Sequence, residues 1–307
     1  MALAVALLGY ACRTTTAPPD SIPPAAEGEV EGLRALSKRL RPLQAKLPEP
    51  EPGDWLASHE ESGQTFEEWL GADPMTARAE RRVIYVQPLG EMSDTQRRVV
   101  DLSARFLGLY FQLPVKVLEP LADSVVPAGH QRNHPRWGMR QLHSVYILDE
   151  VLRPRLPADA AALIAFTAID LYPEESWNFV FGQASLQHRV GVWSIYRKGD
   201  PDASPLEFRR VLARTLRTAT HETGHMFSIH HCTAYSCNLC GSNSLQESDR
   251  HPLQLCAECL PKVLFATQAD ASARYEELGA YCEEQGLSED HERYRALLEA
   301  LAEKRDE

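Results

Sequence analysis

Hydrophobic positions along the chain change period several times, and each change marks an element. Val30, Leu33, Leu36, Leu40 and Leu43 recur at helical spacing, which predicts an amphipathic helix over residues 29–47. Pro48, Pro50 and Pro52 end it, because proline lacks the backbone donor a helix needs. The folded core is expected from Asp54 onward. Residues 82–88 (RVIYVQP) alternate β-branched and aromatic side chains and read as a strand. Val99, Leu102, Phe106 and Leu109 return to helical register over 93–109, with Ser93 placed as the cap. Residues 115–118 form a second expected strand between Pro114 and Pro120. The stretches 144–153 and 157–162 read as helical or mixed. Residues 163–171 (LIAFTAIDL) are continuously apolar, the pattern of a strand buried on both faces. Two more strands are expected at 178–184 and 190–196.

Residues 205–229 carry Leu206, Val211, Leu212, Leu216, Met226, Phe227 and Ile229, so most of this stretch should be one long buried helix. Beyond Asp270, Leu278, Tyr281 and Leu287, then Tyr294, Leu297, Leu298 and Leu301, predict two acidic helices packed on the body. Cys282 there reads as a small buried hydrophobe. Strands alternating with helices through the first half imply an α/β fold, a sheet layered with helices.

The first residues follow a different pattern. Met1–Cys12 is apolar and ends in cysteine, and a Pro/Thr/Ala-rich stretch of the disordered type follows. This arrangement resembles a bacterial lipoprotein signal, with Cys12 as a lipid anchor and export as the consequence. A frayed terminus of a cytoplasmic protein is the alternative. The expected division is therefore a signal- or tether-like segment over 1–53 containing one short helix, then a single domain over 54–307.

Composition narrows the function. Of 307 residues, 44% are hydrophobic and 24% charged, the mix of a globular protein. The net charge of -11 offers no basic field for phosphate backbones, so nucleic acid is not expected as a partner. No apolar run approaches the roughly 20 residues of a membrane-spanning helix.

Five of the seven cysteines (Cys232, Cys237, Cys240, Cys256 and Cys259) crowd into one stretch with His221, His225, His230, His231 and His251. Mixed His and Cys at this density read as metal ligation rather than a disulfide framework. His221-Glu222-Thr223-Gly224-His225 lies within the long helix. Two histidines four residues apart share a helix face and can hold one zinc ion, and Glu222 can reach a zinc-bound water as a base. His231 supplies a third ligand only if the chain leaves the helix after Phe227 and turns back sharply. Glu247 is a second candidate for that position, at a less favourable spacing. For the cysteines, spacing alone favours Cys237, Cys240, Cys256 and Cys259, a two-knuckle pattern.

The run His221-Glu222-x-x-His225-x-x-Ser228-x-x-His231, with Cys232-x4-Cys237 and Cys256-x2-Cys259 after it, resembles the archaemetzincin family of metzincin zinc peptidases. The stretch from Asp170 to Ser185 (DLYPEESWNFVFGQAS), residues 115–120 (VKVLEP) and residues 54–59 (DWLASH) are also similar to that family, in its eukaryote-type branch. The resemblance covers about Asp54 to Leu264. It implies a metzincin-like twisted mixed sheet with an active-site helix, then a four-cysteine zinc element over 232–259 and the helical tail over 270–307. It implies two Zn²⁺ ions: a catalytic one on His221, His225 and His231, and a structural one on Cys232, Cys237, Cys256 and Cys259. It further implies hydrolysis of a peptide or protein substrate, with Glu222 as general base, and a sheet edge near 178–185 beside the cleft. The alternative is a non-catalytic protein of the same fold in which zinc only stabilises. Two positions depart from the family pattern. Ser228 stands where a glycine makes the left-handed turn, at about 1 kcal/mol of strain. Leu239 stands where a methionine packs below the metal, with similar volume.

Overall fold

The computed structural model describes residues 24–78, 80–185 and 188–302, so Cys12 and the apolar run before it lie outside the described residues. Helix α1 (Pro24–Leu40) ends earlier than its periodicity predicts, because Pro42 draws the chain into a 3-10 turn over Arg41–Leu43. Val30 and Leu40 are buried in the main core. The Leu47 amide then donates to the Ala234 carbonyl at 3.3 Å, and the Ser236 amide to Ala45 at 2.9 Å. The expected division at Asp54 thus falls inside a continuously packed body. Short helices α2 (Trp55–Ser58) and α3 (Phe66–Gly71) follow, α3 started by a reciprocal Thr65–Glu68 capping box.

Strand β1 (Val83–Leu89) leads into α4 (Asp94–Phe111), which Ser93 and Gln96 cap as a second capping box. Next come β2 (Val115–Val117), β3 (Gln131–Asn133) and β4 (Arg140–His143). Helix α5 (Ser144–Tyr146) runs on as a wider helical turn over Ile147–Leu152. Strand β5 (Ala160–Thr167) starts earlier than expected. Residues 160–162 are strand rather than helical or mixed, since Ala160 and Ala162 pair with Val83 and Ile84, and pairing overrides alanine's helix propensity. The apolar run at 163–171 also divides: its end joins β6 (Asp170–Tyr172), in a different sheet.

Strand β7 (Gly182–Ser185) begins later than expected, because the Asn178 carbonyl instead accepts from the Gln141 side chain at 2.7 Å. Strand β8 (Val190–Ser194) is shorter than expected, the chain turning at Tyr196–Lys198. The main sheet runs β2-β1-β5-β8-β7, parallel except for the antiparallel β7–β8 edge pair, and a second sheet runs β3-β4-β6. Helix α6 (Pro205–His225) follows, capped by Ser204, then α7 (Leu245–Arg250), α8 (Leu260–Thr267), α9 (Ala271–Glu284) and α10 (Ser288–Ala302).

The layering follows from side-chain alternation in β5. Ala162, Ile164 and Phe166 face the core shared with α4 and α6. Leu163 and Ala165 face the other side, against Ile147, Leu148, Val151 and Leu152. All eight residues of β5 are buried, as for a central strand covered by helices on both faces. The architecture is the expected α/β one: a mixed sheet layered with helices, then a cysteine-rich part and two closing helices. No described helix is long and apolar enough to cross a membrane.

Candidate active site

Helix α6 lies in the core beside β7 and β8 and presents His221 and His225 one turn apart. The helix ends at His225. Ser228 then takes φ +61°, and this left-handed residue sends the chain back toward the histidines. The turn is held from outside: Ser228 Oγ accepts from the Met75 amide at 3.1 Å, and the Phe227 carbonyl accepts from Trp69 Nε1 at 2.8 Å. A hydroxyl where glycine would be easier thus gains a bond glycine cannot make.

The turn brings His231 beside the other two, with ring centroids 4.5, 5.3 and 4.9 Å apart. Each ring has its Nδ1 on an acceptor. His221 Nδ1 donates to the Asn238 carbonyl at 2.8 Å, His225 Nδ1 to the Ile229 carbonyl at 2.5 Å, and His231 Nδ1 to the Glu61 carboxylate at 3.0 Å. With the protons fixed there, the three Nε2 atoms carry lone pairs. His221 Nε2 and His225 Nε2 face each other at 2.9 Å, and His231 Nε2 is buried with no partner. Three converging lone pairs repel unless a cation lies among them, so the donor set fits a metal, and neutral imidazole nitrogens suit zinc. All three ligating atoms lie within 4.8 Å of one another. Burial pushes His221 down to about 3, which keeps its imidazole neutral.

Glu222 is 1% exposed, and its Oε2 has no hydrogen-bond partner. Burial pushes its carboxyl up to about 8, partly opposed by the nearby Lys198 charge. Below the histidines, Leu239 packs so closely on α6 that a Cβ at Gly224 would lie 2.8 Å from Leu239 Cδ2. Glu247 is not near the histidines' shared point; it accepts from the Trp55 amide at 2.9 Å and the Asn243 amide at 2.6 Å.

The sulfurs of Cys232, Cys237, Cys256 and Cys259 also lie within 4.8 Å of one another, all buried, with Cys232 and Cys256 at 3.6 Å. None of these cysteines forms a disulfide. Cys240, which spacing alone placed in the set, turns its thiol to the Tyr235 carbonyl at 3.2 Å. Hydrogen bonds from the neighbouring thiols hold Cys232 well below the usual thiol range. Four clustered, buried sulfurs fit a closed thiolate metal site.

Sequence reasoning missed two residues. Glu61 orients His231, and Lys198 is buried in the cavity beside Glu222. Neither sits in a motif, since each reaches the site from a distant segment. Phe181, just before the edge strand β7, lines the same cavity as His221 and Glu222, so this sheet edge does lie beside the cleft.

A His-Glu-x-x-His helix closed by a third histidine through a left-handed turn, beneath the edge of a mixed sheet, defines a zinc metallopeptidase. Relatives carry this further. The family model described as Peptidase family M54 matches residues 158–264. Archaemetzincin-2 of Macaca fascicularis is 33% identical over 279 residues, covering 79% of this chain and 77% of that protein. Archaemetzincin-2 of Homo sapiens is 34% identical over 260 residues, covering 74% and 71%. The crystal structure of archaemetzincin AmzA from Archaeoglobus fulgidus, complexed with malonate, aligns at 30% identity and a TM-score of 0.46, over 59% of this chain and 99% of that one. The chain belongs to the archaemetzincin family of zinc metallopeptidases.

Proposed function

We propose that this chain hydrolyses peptide bonds at a zinc ion held by His221, His225 and His231, with Glu222 as general base. A second zinc, held by Cys232, Cys237, Cys256 and Cys259, would be structural, because four thiolates leave no open coordination position. One observation carries the reading: three Nε2 lone pairs converge beside a buried, unpartnered Glu222 carboxylate. Bound there, zinc supplies Lewis acidity, lowering the pKa of water toward about 7 and polarising the scissile carbonyl.

The protein residues do the rest. Among the described residues strand β7 is an edge of the main sheet, to which an extended peptide can add as a further strand, and this would fix the scissile bond above α6. Glu222 takes the proton of the attacking water and passes it to the leaving amine as the carbon–nitrogen bond breaks. Glu61 holds His231 in the tautomer that keeps Nε2 free.

The test is metal analysis joined to cleavage of a peptide library by the purified chain. The expected result is two zinc ions per chain and metal-dependent cleavage; a ratio near one removes a site, and no cleavage of any peptide removes the activity. For Met1–Cys12 the proposal is export with lipidation of Cys12, supported by the apolar run alone. Palmitate labelling in a bacterial host, lost in Cys12→Ser, tests it; labelling that persists in the variant overturns it.

A further inference from the structure

Beside Glu222 a cavity of about 50 Å³, lined also by His221, lies between α6 and the segment that follows Asn238. At roughly 10–15 Å³ for each water-sized group, it accommodates about four non-hydrogen atoms. That is the size of a carboxymethyl group and too small for an aromatic ring.

Three buried polar groups reach this cavity without a matching partner. Glu222 Oε2 and His251 Nε2 have no hydrogen bond. Lys198 is only 2% exposed, yet among the described residues its ammonium meets only neutral groups: the Thr218 hydroxyl at 2.5 Å and the Phe181 ring, whose centroid lies 4.4 Å away. Of the acids near it, Glu222 is not held by another cation, but the mechanism needs that carboxylate as a base; the others are committed elsewhere. Asp170 is gripped by Arg197 through two bonds of 2.8 Å, and Asp249 by Arg214 at 2.6 Å and Arg217 at 3.6 Å. Burial pushes Lys198 down to about 7, partly opposed by the Glu222 charge. An aliphatic group of the same volume would leave the ammonium desolvated with no hydrogen-bonded anion. A carboxylate would neutralise it.

We propose that this cavity is a substrate subsite for a carboxylate, bound by Lys198, so that the enzyme selects peptides with an acidic group next to the scissile bond. The proposal rests on the peptidase reading and names its substrate class. The carboxylate can come from an Asp or Glu side chain or from the C-terminus of the peptide.

Two measurements test it. In the first, the zinc-loaded enzyme cleaves matched peptides that carry Asp, Asn, Glu or Leu at either position flanking the scissile bond. A further pair offers the acid only as a C-terminal carboxylate or its amide. The expected result is a kcat/KM about 10- to 100-fold higher for the acidic member of a pair than for its neutral isostere. Whichever pair shows it identifies the source. In Lys198→Met, or Lys198→Gln if the first variant does not fold, the acidic-to-neutral ratio collapses to about one. No acidic preference in the wild type overturns the proposal. Equal loss on both members, with the ratio kept, also overturns it, because Lys198 would then act only through Glu222. The second measurement is equilibrium binding of labelled Asp and Asn peptides to zinc-loaded Glu222→Gln, which needs no turnover. Preferential binding of the Asp peptide without cleavage by the wild type would fault the peptidase reading and leave the subsite standing. Equal binding of the two peptides overturns the subsite whatever the activity.

Discussion

His221 Nδ1 lies 2.8 Å from the carbonyl oxygen of Asn238, the residue that follows Cys237. One residue therefore joins the histidine set to the cysteine set, and the Cys232–His231 neighbours join them a second time. If both sets hold zinc, the thiolate site orients the ligands of the other. Substitution Cys256→Ser, in protein that remains folded, should lower zinc affinity at the histidine site by about 10- to 100-fold, the usual effect of loosening a ligand's support. Competition with a calibrated chelator measures this. An unchanged affinity would show the two sites to be independent.

Glu61 should act on His231 in the same way. Its carboxylate is held below the ordinary range by the hydrogen bond to His231, although burial, the largest single influence, acts in the opposite direction. Glu61→Ala should weaken zinc binding by about 10- to 100-fold with the fold preserved. Full zinc retention at low free metal would deny Glu61 that role.

Ser228 offers a prediction about stability rather than chemistry. At φ +61° it carries about 1 kcal/mol of strain, which Ser228→Gly relieves while losing the bond to the Met75 amide, also worth about 1 kcal/mol. The glycine variant should be nearly neutral. Ser228→Ala keeps the strain and loses the bond, so it should be less stable by about 1 kcal/mol, read from urea midpoints. An alanine variant as stable as the glycine variant would contradict the account of the turn.

What was legible in the sequence was local. The i, i+4 histidines, the exit from α6 and the Ser93 cap are each set by a few neighbouring residues, and the elements built on them lie close to their expected bounds. What was not legible depends on distant partners. Glu61 meets His231 across 170 positions, and Lys198, in the turn after β8, shares a cavity with Glu222 of α6. Cys240 satisfies the spacing of a knuckle, yet its thiol turns to Tyr235, a choice made by the path of the chain rather than by cysteine count. Ala160–Ala162 read as helical or mixed until β1 pairs with them.

Metal removal should separate the two sites. A three-histidine site with an exchangeable position releases zinc more readily than a closed four-thiolate site. Titration with 1,10-phenanthroline should abolish peptidase activity before the circular dichroism signal is lost. Coincident loss of activity and fold would make the histidine metal structural.

The most direct test of the central claim is Glu222→Gln. Glutamine keeps the volume of the side chain and can still hydrogen-bond water, but it cannot accept a proton. On a peptide that the wild type cleaves, turnover should fall by about 10²- to 10⁴-fold with zinc content unchanged, because Glu222 is a base and not a ligand. Comparable turnover in the two proteins, at equal zinc content, would contradict the account.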